Sequence, residues 1–160
     1  MKALITGISG FAGSHLAEYL LNKGYKVYGT FYDKSTFSNL DSFIDRITLY
    51  QCDIRNYDNL KKIIKKVQPD EIYHLAAISF VPTSLKNPKL TFDTNLYGTL
   101  NLYQSIIDLK MNPKILFVGS ADEYGIVNEN DLPIRESCPL HPALPSEGQA
   151  NRPLPCPSHQ

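Results

Sequence analysis

The chain has 160 residues, 42% hydrophobic and 20% charged, with a formal net charge of zero at pH 7. That composition suits one globular domain, and without net charge no long-range field draws it to nucleic acid or to an anionic membrane. No apolar run approaches the roughly 20 residues of a membrane span, and the opening apolar stretch is too short for a signal peptide. Cys52, Cys138 and Cys156 are odd in number and lack metal-ligand spacing, which predicts reduced thiols in the cytoplasm and no metal site.

In chain order, strand and helix patterns alternate. Ala3-Leu4-Ile5-Thr6 is an apolar run closed by glycine, the pattern of a buried strand. Phe11 to Asn22 carries Ala12, Leu16, Tyr19 and Leu20 on one helical face, and Gly24 stands where that helix should stop. Lys26 to Phe31 reads as a second strand and Ile47 to Gln51 as a third. Asp58 is placed to cap a helix bearing Leu60, Ile63, Ile64 and Val67, whose lysines form a solvated face. Pro69 ends it, and Glu71 to Leu75 is a fourth strand. A longer helix follows Pro88, with Leu96, Leu100, Tyr103 and Ile107 on one stripe, and Lys114 to Gly119 is a fifth strand. The alternation predicts an α/β fold, a Rossmann-type doubly wound parallel sheet in the order 3-2-1-4-5.

The strongest local signal is Thr6-Gly7-Ile8-Ser9-Gly10-Phe11-Ala12-Gly13, set between a strand and an amphipathic helix. Gly7 permits the tight turn, Gly10 lets backbone approach a pyrophosphate, and Gly13 allows helix to pack closely on strand. The anion would then sit at the helix amino terminus, where N–H groups and the dipole favour negative charge. Two further segments stand at carboxyl ends of strands, where open parallel sheets bind ligands. Asp53-Ile54 follows the third strand, as an acceptor for an adenine amino group or as a turn cap. His74-Leu75-Ala76-Ala77 follows the fourth, small enough at Ala76 and Ala77 for a nucleotide to lie on the backbone, with His74 itself packed and hydrogen-bonded. At the end of the second strand an acidic residue would bind a ribose 2′-hydroxyl and a basic one a 2′-phosphate. Phe31 and Tyr32 stand there, with Asp33 and Lys34 just beyond pointing in opposite directions, so NAD and NADP both stay open.

With these segments, Asn95 and Ser120-Ala121-Asp122-Glu123-Tyr124-Gly125 in order, residues 1 to 142 resemble an extended short-chain dehydrogenase/reductase of the NAD-dependent epimerase/dehydratase family. The two-residue gap between Gly7 and Gly10 is that family's form. Gly13-Ser14-His15-Leu16-Ala17-Glu18-Tyr19-Leu20-Leu21 and Val67-Gln68-Pro69-Asp70-Glu71-Ile72-Tyr73 are similar to the GDP-mannose 4,6-dehydratase and GDP-4-keto-6-deoxymannose reductase branch. The resemblance implies NAD or NADP as cofactor, a GDP-sugar or related nucleotide sugar as substrate, and a homodimer for the full-length family member. It implies cofactor contacts at Gly7, Ser9, Gly10, Phe11, Ala12, Gly13, Tyr32, Asp53, Ile54, Leu75, Ala76, Ala77 and Asn95, and substrate contact at Ser79. Asn95 is read as joining helix to strand by backbone hydrogen bonds, and Ser79 equally as a plain loop residue. Ser120 falls where the family's hydroxyl holds the sugar 4-oxygen, and Asp122 where the dehydratases carry the carboxylate that acts at C5. That carboxylate is usually Glu, so Asp122 is one methylene short; Glu123 is adjacent and would serve only after a backbone shift. The dehydratases' arginine pair after the second strand is also replaced, by Phe31-Tyr32-Asp33, and both departures lean toward a reductase.

The family's Tyr-x-x-x-Lys on the helix after the fifth strand has no counterpart here: no Tyr follows Tyr124 and no Lys follows Lys114. All ten Tyr and all seven Phe lie at or before Tyr124, whereas six of the eleven Pro lie in the last 22 residues. Residues 1–142 are therefore expected to form an incomplete dinucleotide-binding domain lacking the family's carboxyl-terminal half. Residues 143–160 are expected to be a disordered tail, from a translated frameshift or as a genuine alternative end. Three readings follow: a fragment of a nucleotide-sugar dehydratase/reductase inactive by itself, a non-catalytic nucleotide-binding module, or the product of a damaged gene. The fifth strand is expected to be an exposed edge, and the Leu96/Leu100/Tyr103/Ile107 stripe an apolar patch.

Overall fold

Five short parallel strands form one sheet in the order β3-β2-β1-β4-β5 in a computed structural model that describes residues 1–140. The tail expected over residues 143–160 lies outside the described residues. The chain divides into two units, Met1–Val118 and Gly119–Gln160.

In the first unit the strands are β1 (Lys2–Thr6), β2 (Lys26–Phe31), β3 (Thr48–Gln51), β4 (Glu71–His74) and β5 (Lys114–Phe117). The helices are α1 (Phe11–Asn22), α2 (Tyr57–Val67), α3 (Val81–Lys86), α4 (Pro88–Phe92) and α5 (Gly98–Asp108), with a wider π turn at Asp93–Tyr97 joining α4 to α5. The fold class, strand order and strand positions read from the sequence are those observed. Apolar alternation sends β1 side chains to both faces of the sheet, which is why one strand serves two cores. Ala3 and Ile5 join Ile8, Ala17, Leu20 and Val27 beneath α1. Leu4 joins Leu60, Ile64, Ile72, Leu102 and Ile106 beneath α2 and α5. Each large side chain so buried contributes roughly 2 kcal/mol.

Two details of helix placement differ from expectation. The buried residues of α1 are Gly13, Ser14, Ala17 and Leu20, while Ala12 and Tyr19 are exposed. The helix lies so close to β1 at its start that small residues, Gly13, Ser14 and Ala17, form the contact there, with Leu20 buried a turn further on. The cap of α2 is Asn56 rather than Asp58: its side chain accepts the Asn59 N–H at 3.0 Å, and Asp58 sits in the first turn, where its charge favours the dipole.

Register matters most at the carboxyl ends. Thr6 pairs with Thr30 on one side and His74 on the other, Phe31 pairs with Gln51, and His74 pairs with Phe117. The strand ends thus form one level edge, from which the loops after β1, β2, β3 and β4 leave together.

The second unit, among its described residues, holds two short turns at Ala121–Tyr124 and Glu129–Asp131. Cys138 is disulfide-bonded, which corrects the expectation that it is a reduced thiol. Cys52 is the buried free thiol, its pKa pushed up to about 11 by burial first and by Asp53 second, so it is an inert core residue.

Candidate cofactor site

The level edge holds a cavity of about 360 Å³. Gly7, Ser9 and Gly10 line it from the β1 turn, Thr30 to Asp33 from the end of β2, Cys52 to Arg55 from the end of β3, and Leu75 to Ile78 from the end of β4. The turn is fixed by backbone: the Gly7 and Ile8 N–H groups both donate to Thr30 O, at 3.0 and 3.1 Å, and the Gly10 N–H donates to Gly7 O at 3.1 Å. Gly7 has φ +72°, and a Cβ there would stand 3.0 Å from Ala76 Cα and N. At Gly13 a Cβ would lie 2.4 Å from Gly7 O, so the helix approaches the turn as closely as backbone allows. At Gly10 a Cβ would meet Gly7 O at 3.3 Å and nothing else within 4 Å, leaving bare backbone at the cavity.

Gly10 is also the residue from which α1 starts, and no side chain caps that helix. The first N–H groups of a helix have no partner within it, and here no side chain substitutes. Turn, bare backbone and uncapped helix start together fit a diphosphate.

The loop after β4 is held by a chain of hydrogen bonds through a buried histidine. Thr6 Oγ1 accepts the Leu75 and Ala76 N–H groups, both at 3.2 Å, and so donates its own hydrogen to His74 Nδ1 at 2.8 Å. His74 Nε2–H then faces Thr99 Oγ1 at 3.0 Å, which donates on to Asn95 O at 2.6 Å. Asn95 closes the circuit: its Oδ1 accepts the Ile78 N–H at 2.8 Å and its Nδ2 donates to Ile78 O at 2.9 Å. The network needs a neutral imidazole, and burial pushes the His74 pKa down to about 4. His74 and Asn95 hold the Leu75–Ile78 backbone in place.

Of the residues expected at the cofactor, Gly7, Ser9, Gly10, Tyr32, Asp53, Ile54, Leu75, Ala76 and Ala77 line the cavity. Phe11 does not: it is exposed, its ring edge-on to His15. Ala12 is exposed, Gly13 is buried against the turn, and Asn95 acts through Ile78. Ser79 is exposed and outside the lining. The Asp53 carboxylate is turned back on Arg55, accepting its backbone N–H at 3.0 Å, its Nε–H at 2.9 Å and its Nη2–H at 2.5 Å. Those bonds, the side-chain ones foremost, hold the Asp53 pKa below the usual carboxylate range. Sequence reasoning missed Arg55, Thr36 and Thr94 in the lining. Arg55 stands two residues after a strand-end acid, a spacing that signals a turn-closing pair, whereas Thr36 is seen only through its hydroxyl bond to Ser9 Oγ at 2.8 Å.

In the second unit Ser120 Oγ accepts the Asp122 N–H at 3.2 Å and caps the turn, so Ser120, not Asp122, is the local cap. Ser120, Asp122 and Glu123 are exposed. Two Tyr/Lys pairs with the sought spacing do exist elsewhere, Tyr19 with Lys23 and Tyr57 with Lys61, each with the ammonium 5.1 to 5.4 Å from the ring centre. Neither pair lines the cavity. Among the described residues no His, Cys, Asp and Glu group could hold a metal ion, and no helix is long and apolar enough to cross a membrane.

Comparison with known proteins places this architecture. GDP-mannose 4,6-dehydratase of Yersinia enterocolitica is 39% identical over 157 residues, a match covering 90% of this chain and 41% of that protein. UDP-glucose 4-epimerase of Thermus thermophilus, solved with NAD, superposes with a TM-score of 0.76 at 29% identity, covering 89% of this chain and 45% of that one. The Bifidobacterium longum epimerase, solved with NAD+ and UDP, gives 0.77 at 29% identity over 88% of this chain and 43% of its own. The chain thus spans about two-fifths of the length of the curated relatives it matches. The sequence model of the GDP-mannose 4,6 dehydratase family matches residues 4–146, and the chain belongs to that family of extended short-chain dehydrogenase/reductase proteins.

Proposed function

We propose that the first unit binds a nicotinamide dinucleotide, NAD or NADP, with the diphosphate over the Gly7–Gly13 turn. We propose further that the protein serves NAD(P)-dependent nucleotide-sugar chemistry of the dehydratase or reductase type on a GDP-sugar, in the cytoplasm. The observation that carries this reading is the cavity at the level strand edge, with bare backbone at Gly10 and an uncapped helix beginning there. Relatives solved with NAD support it.

When bound, the nicotinamide supplies a hydride acceptor and donor for the sugar carbon. The Ser120 oxygen accepts the Asp122 N–H, which leaves its own hydrogen to donate to a sugar 4-oxygen. Asp122, or Glu123 after a backbone shift, would take the proton at C5, and Ser79 would border the sugar. A homodimer of the longer family type would use α5, whose Leu100, Tyr103 and Ile107 are exposed. Because no Tyr-x-x-x-Lys follows β5, the 160-residue chain by itself is read as binding cofactor without turning over sugar.

Thermal-shift titration with NAD and with NADP tests the binding: ligand at a hundred times Kd stabilises a protein by about 2.7 kcal/mol. No shift with either dinucleotide would overturn it. Formation of a 4-keto sugar from GDP-mannose by this chain alone would overturn the statement about turnover.

A further inference from the structure

We infer that residues 79–94 form a strap that opens to admit a ligand to the cavity and closes over it, with the Asn95–Ile78 pair as its fixed neck; this rests on the dinucleotide reading above. The strap holds α3 and α4, and it is built unlike the other helices of the first unit. α1, α2 and α5 each bury a row of side chains against the sheet. α3 and α4 bury none, and no residue from Leu75 to Tyr97 is buried. Their large apolar side chains Val81, Leu85 and Phe92 are exposed instead, as is Phe80 before them. At six and five residues, both helices are shorter than the roughly 12 to 15 that a helix needs to hold by itself. Asn87 breaks the run between them with φ −133° and ψ 64°, and Pro88, which has no N–H to give, starts α4 as a separate piece. Segments with few buried contacts open at low free energy, whereas core elements open only with the whole fold.

The two ends of the strap do not share that freedom. Asn95 spans them, accepting the Ile78 N–H at 2.8 Å and donating to Ile78 O at 2.9 Å, and its own carbonyl accepts the Thr99 hydroxyl at 2.6 Å. Thr99 in turn meets the buried His74, and Gly98 lies so close to Ile54 that a Cβ would stand 2.6 Å from its Cδ1. The chain thus leaves and returns at one anchored point, the form of an Ω-loop. The π turn Asp93–Tyr97 lies at that junction, where the helical hydrogen-bond ladder changes its step. Toward the cavity the strap presents Leu90 and Thr94, both half-buried; the other residues of the lining come from the strand ends and the loops that leave them. A ligand seated on the strand edge brings its surface against Leu90, so binding favours the closed strap by as much as that contact contributes and no more.

Hydrogen exchange read by mass spectrometry on the 160-residue chain, with and without NAD, tests this. Without NAD, the amides of residues 81–92 are expected to exchange at least about a hundredfold faster than those of α2 and α5. NAD should slow them at least about threefold, together with the amides of the Gly7–Gly13 turn. Leu90→Ala shortens a half-buried side chain, so the fold stays while the closing contact goes. In that variant NAD should still protect the turn but protect the strap less, and NADH should leave about fivefold faster in stopped-flow fluorescence. Exchange in the strap as slow as in α2 overturns the inference. So does protection confined to the turn, or an unchanged NADH release rate in Leu90→Ala, and each of these leaves the dinucleotide reading standing. Protection of neither turn nor strap by NAD overturns both.

Discussion

Two sides of the same sheet are finished to different degrees. Along the carboxyl edge of β1, β2 and β4, backbone and side chains tie one another down, and among the described residues no buried side-chain nitrogen or oxygen lacks a partner. Around β5 and the outer face of α5, apolar groups face out: Leu100 is 50% exposed, Ile107 66% and Phe117 52%. α5 shows both conditions on one helix, since Gly98, Leu102, Ser105 and Ile106 are buried on its inner face. A hydrophobic stripe marks a face that could be covered, and only packing shows which face is. The two sides should answer differently to substitution.

The largest effect is expected inside α5. Leu102→Ala removes a fully buried side chain between α2 and β4 and should cost about 3 to 4 kcal/mol in urea unfolding. Gly13→Ala should come next, at about 3 kcal/mol, because the new methyl stands 2.4 Å from Gly7 O and the turn must move. If the variant proved as stable as wild type, α1 would not be seated as closely on the turn as described.

Acid should cost almost as much, through His74. Its folded pKa is about 4 against an ordinary 6.5, burial being the cause. A depressed histidine pKa means that the neutral form is favoured by folding. Stability is therefore full above pH 6.5, falls as the pH drops toward 4, and loses about 3 kcal/mol over that window. Asp53 and Asp108, both held below the usual carboxylate range by their hydrogen bonds, lose their contributions only as the pH falls below the ordinary value of 3.8. The two causes separate along the pH axis. Urea midpoints measured between pH 4 and 7 should slope in the wild type and run nearly flat in His74→Gln.

The cavity edge was also the more legible side in the sequence, and the reasons are physical. Glycine at residues 7 and 13 is a backbone requirement, and a backbone requirement leaves one letter to choose from; Gly10, in ordinary extended backbone, leaves the chain bare toward the cavity. Ala76 and Ala77 likewise report close approach. The parallel sheet followed from apolar runs punctuated by Gly24, Pro69 and Pro113. Asp33 was not separable from Lys34, although Asp33 lines the cavity and Lys34 does not, because the loop that carries both has no period to read. Arg55 was missed because its role is to neutralise Asp53, an effect of side-chain direction. On α1, apolar periodicity picked Ala12, Leu16, Tyr19 and Leu20; Leu20 is buried and Leu16 half-buried, whereas Ala12 and Tyr19 face out and the close approach buries Gly13 and Ala17. Hydrophobicity reports what a face can do, and small size reports how near its neighbour lies.

Helix ends give a smaller test. Asn56→Ala removes the acceptor for the Asn59 N–H and should cost about 1 kcal/mol, and Asn56→Asp should retain most of the cap. Asp58→Ala, in the same turn but outside the capping position, should cost less, a few tenths of a kcal/mol from the dipole.

The smallest effect is expected where the sequence looked most hydrophobic. Ile107→Lys and Leu100→Lys replace exposed side chains on the outer face of α5, so each should leave the urea midpoint within about 0.5 kcal/mol of wild type. The same substitutions put charge into an apolar patch and should raise the concentration at which the chain stays monomeric in sedimentation. The two readouts distinguish the physics. A buried face loses stability at every protein concentration, whereas a face covered by a second copy loses it only where the copies associate. A loss above about 1 kcal/mol in Ile107→Lys at the lowest measurable concentration would mean that the outer face is packed within the chain itself, and the contrast between the two sides of α5 would disappear.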